Sequence, residues 1–216
     1  LILEYISALI WPAVAISFVV VFRKQIVVII ERIKGASLPG GVSLNFEEEI
    51  RDARQLSREV ESAKGDKGRE SRPSIPLTEA NARMLSLGLQ PSPSGLNLRY
   101  YRNLSEEDPN IALAGLRIEV ETLARNLAKG FNVEIGERDS ASKLLRRLYE
   151  NGAITSQQFE LGLKIVKLCN AAVHGKTISR EEAESVIDVA KVLADQYIAW
   201  LSWGFPDEWR PKEQTV

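Results

Sequence analysis

Histidine occurs once in this chain, at position 174, in the stretch LCNAAVHGK. A lone histidine can take or give a proton near neutral pH, because its ordinary pKa lies close to it. Asn170 stands one i,i+4 step earlier, so both side chains share a face of any helix that carries them. Gly175 follows and marks a helix end, where the helix dipole favours the protonated imidazole. A second pair with the same spacing, Arg117 and Glu121, stands in LRIEVE. Arg117 follows the apolar Leu116, so part of its stem is expected to be buried. Arg117, Glu121, Asn170 and His174 are expected to form one buried polar network that ties two helices together, with His174 bonding helix-end groups.

Other chemistry is poorly provided for. One cysteine, Cys169, excludes a disulfide within the chain. With a single histidine as well, a zinc site of the Cys/His type is not expected. The chain contains no glycine loop with lysine for phosphates, no HExxH and no nucleophile elbow. No metal and no cofactor are therefore expected.

The elements that must position these residues are legible from their end signals. Asp108 followed by Pro109 reads as an N-cap with proline at the first helical position. That helix runs to Gly130, with Leu113, Leu116, Val120, Leu123 and Leu127 as its apolar stripe. Ser140 opens a second helix, ASKLLRRLYE. Thr155 with Gln158 fits a capping box and opens a third, which Gly175 closes after His174. Ser179 with Glu182 is another capping box and opens the fourth, with Ala183, Val186, Ala190, Leu193, Tyr197 and Leu201 inward. Amphipathic helices joined by short loops pack as an antiparallel bundle. The tail adds Trp200, Trp203, Phe205 and Trp209, which are expected to cover the end of the bundle.

Residues 1–107 read differently. Residues 5–22 carry no charged side chain, and about 18 or more such residues make a transmembrane helix candidate. Arg23 and Lys24 follow at once, so the C-terminal side is expected in the cytoplasm. A cleaved signal peptide would place its basic residues before the apolar run, which is the reverse of this order. Residues 1–35 are thus expected to be a transmembrane helix with its cytoplasmic extension. Residues 36–107 read as a polar stalk and flexible linker. Within them Ile50, Ala53, Leu56 and Val60 recur at helical steps, Glu47 and Arg51 are spaced to pair, and residues 65–76 are charged and rich in Gly and Pro. TEANARMLSLG is a short helix candidate. In LRYYRNL, Tyr100 and Tyr101 are expected to pack on the following domain; arginines interleaved with aromatics also suit single-stranded nucleic acid. Residues 108–216 hold the bundle and its tryptophan-rich tail. The 28 basic and 29 acidic side chains nearly cancel, so the overall basic footprint of a nucleic-acid binder is missing.

The helix order, with Ala112, Leu116, Arg117 and Glu121 in the first bundle helix and NAAVHG then ISREEAE further on, resembles the HEPN-like helical bundles. It is similar in particular to a bacterial domain of unknown function often joined to an N-terminal membrane helix. The resemblance covers residues 108–201, and its most specific piece is N-x-x-x-H-G at a helix end. It implies a fold that is all-α: a single N-terminal transmembrane helix plus a C-terminal antiparallel HEPN-like bundle. Catalytic HEPN domains are metal-independent ribonucleases in which an arginine, a polar residue and a histidine from two copies meet in a dimer. Asn170 matches the polar residue and His174 the histidine. The arginine position holds Cys169, and a neutral thiol cannot stabilise phosphate charge as a guanidinium does. Arg117 of the other helix is the candidate substitute.

The resulting expectation is a cytoplasmic interaction or sensing module without catalysis, anchored in the inner (plasma) membrane by a single pass. The alternative is a metal-independent ribonuclease of phage-defence or stress-response type, acting as a dimer through Asn170 and His174. Expected partners are the lipid bilayer and a second copy of the chain, with RNA or a nucleotide as a candidate ligand and no signal for DNA.

Overall fold

The computed structural model describes residues 45–62, 75–136 and 138–204, all within the compact unit Asn45–Val216. In chain order the helices are α1 (Phe46–Ser62), α2 (Leu77–Ser86), α3 (Arg99–Glu107), α4 (Pro109–Gly130), α5 (Ala141–Glu150), α6 (Ser156–Val173) and α7 (Arg180–Trp203). Among the described residues there is no strand, so the fold is all-α. None of these helices is long and apolar enough to cross a membrane; residues 5–22, where such a span is expected, lie outside the described residues.

The four bundle helices begin where their caps place them. The Asp108 carboxylate accepts from the Ile111 N–H at 2.9 Å, and Pro109 occupies the first turn. Thr155 with Gln158, and Ser179 with Glu182, each form both bonds of a capping box. Helix α4 is the hub and packs against α3, α5, α6 and α7. Its inward residues Leu113 and Leu116 meet a core that includes Leu144 and Leu148 of α5, Leu161, Ile165 and Leu168 of α6, and Val186, Tyr197 and Leu201 of α7. Leu127 and Leu193, expected in the core, are only half-buried. At the α7 end, Trp200 is buried and stacks on Phe131 with ring centroids 5.2 Å apart. The side chain of Trp203 and residues 205–216 lie outside the described residues.

Two parts of the expected stalk are built into the bundle instead. Helix α1 packs on α6 and α7, burying Phe46, Ile50, Ala53 and Val60. The stripe read as a spacer is thus a core face. Its acidic flank is tied down as well. Lys164 of α6 reaches Glu49 at 3.1 Å and Asp52 at 3.0 Å, and Lys167 reaches Glu49 at 2.7 Å. Burial pushes the Glu49 carboxyl upward, but the two lysines outweigh it and hold its pKa below the usual range. Residues 63–74, read as a flexible linker, lie outside the described residues.

The second part is the segment 75–107, which folds against α4 around a buried carboxylate. Glu119 is 1% exposed. It accepts from the Ser92 hydroxyl, from the Ser94 N–H at 3.0 Å and from the Tyr101 hydroxyl at 2.9 Å. Two turns along the same face, fully buried Asn126 donates to the Gln90 carbonyl at 2.8 Å and accepts its N–H at 2.9 Å. These bonds allow a loop with left-handed backbone at Leu96 (φ 63°) to close over the bundle. Tyr101 fits because Gly115 leaves room: a Cβ there would stand 2.6 Å from the ring. Of the two tyrosines expected to pack inward, Tyr101 does so and Tyr100 remains 56% exposed.

Candidate functional site

Arg117 and Glu121 lie on α4, Asn170 on α6, and His174 caps the end of α6. The helix stops there because Gly175 takes φ +89°, a conformation open to glycine. The His174 N–H donates to the Asn170 carbonyl at 2.9 Å, and the Lys176 N–H returns to the Ala171 carbonyl at 3.0 Å.

This turn is fastened by Asn110, in the first turn of α4. Its amide donates to the Ala172 carbonyl at 2.9 Å and the Lys176 carbonyl at 2.6 Å, and its oxygen accepts from the Ile178 N–H at 3.3 Å. One side chain thereby sets the position of the whole His174 turn. The sequence reading missed it, because a polar residue just after an N-cap proline looks like ordinary helix-start chemistry. On the other side, the Lys176 ammonium sits 4.3 Å from the centre of the buried Phe46 ring, so α1 also touches the turn.

The expected four-residue hydrogen-bonded network does not form. Glu121 pairs with Arg125 at 2.9 Å rather than with Arg117. The reason is order: a glutamate four residues before an arginine is the favourable arrangement, and Arg117 stands on the wrong side of it. Arg125 also donates to the Asp139 carbonyl at 2.7 Å. His174 is exposed, and its ring makes no hydrogen bond among the described residues. It is not a staple of the bundle.

What remains at the α4–α6 junction is two orphans. Arg117 Nε and Asn170 Oδ1 are buried atoms without a hydrogen-bond partner among the described residues. Leaving such an atom unpaired costs about 1–3 kcal/mol. Cys169, next to Asn170 in the chain, is fully buried, its thiol pushed up to about 12 by burial while the nearby Arg117 charge pulls it down. It is a neutral, inert thiol. The Arg117 guanidinium thus lies within electrostatic reach of Cys169. On the same two helices Ile111 is 56%, Ile118 59% and Val173 44% exposed.

Chemically, the arrangement offers a solvent-open imidazole, a half-buried guanidinium and an unpaired amide oxygen on two adjoining helices. Among the described residues, no group of histidine, cysteine and carboxylate side chains is placed to hold a metal ion. Compared with protein-family models, curated proteins and solved structures, the chain matches none of them.

Proposed function

We propose that the chain is a membrane-anchored, cytoplasmic, HEPN-like interaction module that works as a homodimer through the α4–α6 face. The observation that carries this reading is the exposure of Ile111 and Ile118, two turns apart on one side of α4, and of Val173 on α6. Uncovered isoleucines two turns apart are a cost in an isolated bundle, and a partner surface relieves it. The test is the oligomeric state of the full chain in detergent by sedimentation. The wild type sediments as a dimer and Ile118→Asp as a monomer with unchanged helicity. A wild type that stays monomeric at every concentration removes the homodimer.

A second reading, a metal-independent ribonuclease of defence or stress-response type, is favoured by two observations: His174 is open to solvent, and the Arg117 charge reaches the neighbouring Cys169. In that chemistry His174 moves the proton, Arg117 steadies the phosphate and Asn170 orients it. The assay is RNA cleavage by the full chain in the presence of a chelator, wild type against His174→Ala. Cleavage that His174→Ala abolishes at unchanged melting temperature makes the site catalytic. No cleavage by either protein leaves the interaction module.

A further inference from the structure

Between α7 and the segment that carries α2 and the start of α3 lies an open cleft of about 540 Å³. Sites for small molecules commonly hold about 300–1,000 Å³. Its floor is apolar and comes from residues far apart in the chain. Leu96 and Leu98 form one side, Ile187, Ala194 and Ile198 of α7 the other, and Leu77 is partly exposed beside them. The wall at Leu96 is pre-set. Leu96 takes φ 63°, a left-handed backbone that is costly for a bulky side chain. It is held there by the Ser92 hydroxyl, which accepts the Leu96 N–H at 2.7 Å, and by Asn81 of α2, whose amide donates to the Gly95 carbonyl at 2.7 Å. Five charged side chains line the cleft, and four of them cancel in pairs: Arg102 of α3 with Asp188 of α7, and Lys191 with Asp195 at 2.5 Å. The fifth is Arg99, exposed in the first turn of α3 and, among the described residues, without a carboxylate within ion-pair distance. Glu79, the carboxylate of α2, is exposed and does not line the cleft. Arg102 stands one turn beyond Arg99, so the two like charges oppose each other. The cleft thus joins an apolar floor to one net positive charge.

We infer that this cleft binds a small amphipathic monoanion, a free medium-chain carboxylate, with its chain along the apolar floor and its head on Arg99. Charge selects this class. One uncompensated guanidinium matches one carboxylate, which it grips with two parallel N–H donors. A phosphate dianion leaves a charge over, and a neutral or cationic amphiphile leaves Arg99 unpaired. The site uses none of Arg117, Asn170 or His174, so it stands or falls apart from the α4–α6 reading.

The experiment exposes the full chain, in phosphatidylcholine nanodiscs or in buffer if it does not enter them, to decanoate bearing a diazirine at its chain end. Illumination links the probe to what it lies against, and mass spectrometry of the peptides locates the link. Labelling is expected within residues 77–102 and 187–198, and an excess of plain decanoate removes it. Decanol and decyltrimethylammonium with the same diazirine label these residues about tenfold less at equal concentration, the loss of one charge-assisted bond. Arg99→Glu lowers labelling by decanoate about tenfold as well. Arg99→Lys retains most of it, which separates charge from any loss of fold. Should Arg99→Glu unfold the chain by circular dichroism, Arg99→Gln takes its place with the same expected loss. Equal labelling by the three probes reduces the cleft to an apolar surface and overturns the proposal. Labelling indifferent to the Arg99 variants overturns it too, as does the absence of any link within the two segments.

Discussion

The Tyr101 hydroxyl donates to Glu119 at 2.9 Å in an interior where, among the described residues, no cation pairs with that carboxylate. The charge is held by donors alone: two hydroxyls and one backbone N–H. Removing one leaves a buried anion under-bonded. Tyr101→Phe is therefore expected to lower unfolding free energy by about 1.5–3 kcal/mol. Urea titration of both proteins measures it, and a loss below about 0.5 kcal/mol, the scatter of a surface substitution, means the bond contributes nothing of note.

The same network sets a lower limit on the folding unit. A chain beginning at residue 108, where the sequence appears to open the bundle, lacks Ser92, Ser94 and Tyr101, and so strands Glu119 inside α4. It also lacks α1, whose Ile50, Ala53 and Val60 cover α6 and α7. Such a fragment is expected to lose cooperative thermal unfolding, followed by circular dichroism, while one beginning at Asn45 keeps it. A sharp, unshifted transition for the shorter fragment contradicts the role given to these residues.

That boundary also shows what the sequence discloses. Helix starts are legible where a local side chain supplies the cap, as at Asp108, Thr155 and Ser179, because cap and capped N–H lie within one turn. The placement of α1 is not, since its apolar stripe is narrow and says nothing about what covers it. Glu119 and Asn126 escape notice because burial of a polar side chain is decided by donors distant in sequence, at Ser92, Ser94, Tyr101 and Gln90. At the candidate site the sequence correctly puts Asn170 and His174 one helical step apart. It misjudges their bonding, since whether i,i+4 neighbours bond depends on the order and on which competitor, such as Arg125, stands nearby.

Asn110 offers a way to move His174 without touching it. Asn110→Ala removes three hydrogen bonds from the turn at residues 172–178. Amide hydrogen exchange there is expected to accelerate while exchange in α5 is unchanged. The cost in stability is about 1–3 kcal/mol. Equal protection of the turn in both proteins rules out Asn110 as its fastener.

Alkaline pH is expected to unfold the protein. Burial raises the Cys169 thiol to about 12, and it raises the phenols of Tyr101 and Tyr197 as well, with the Glu119 charge acting in the same direction. For such groups the unfolded chain ionises first. Their contribution is complete below the unfolded pKa, and it is lost as pH rises through the ordinary thiol and phenol range toward the folded values. Melting temperature should fall from about pH 9 upward, and Cys169→Ala should flatten the first part of that fall. In parallel, a thiol reagent at pH 8 should react with Cys169 only after denaturant is added.

At acid pH, Asp139 is the group to watch. Lys143 at 2.6 Å, the Gly136 N–H at 2.7 Å and Arg147 at 3.1 Å hold its carboxylate below the usual range. A lowered carboxylate stabilises above its unfolded pKa and loses that contribution as pH falls through the folded one. The gap in melting temperature between wild type and Asp139→Asn should be open at pH 7 and close below about pH 4. A gap independent of pH points to packing instead of charge.

The Lys176–Phe46 contact makes α1 a neighbour of the turn that carries His174. Asn110 holds the other side of the same turn to α4. The exposed imidazole is thus presented from a turn clasped between two helices far apart in the sequence, and its position is set by both.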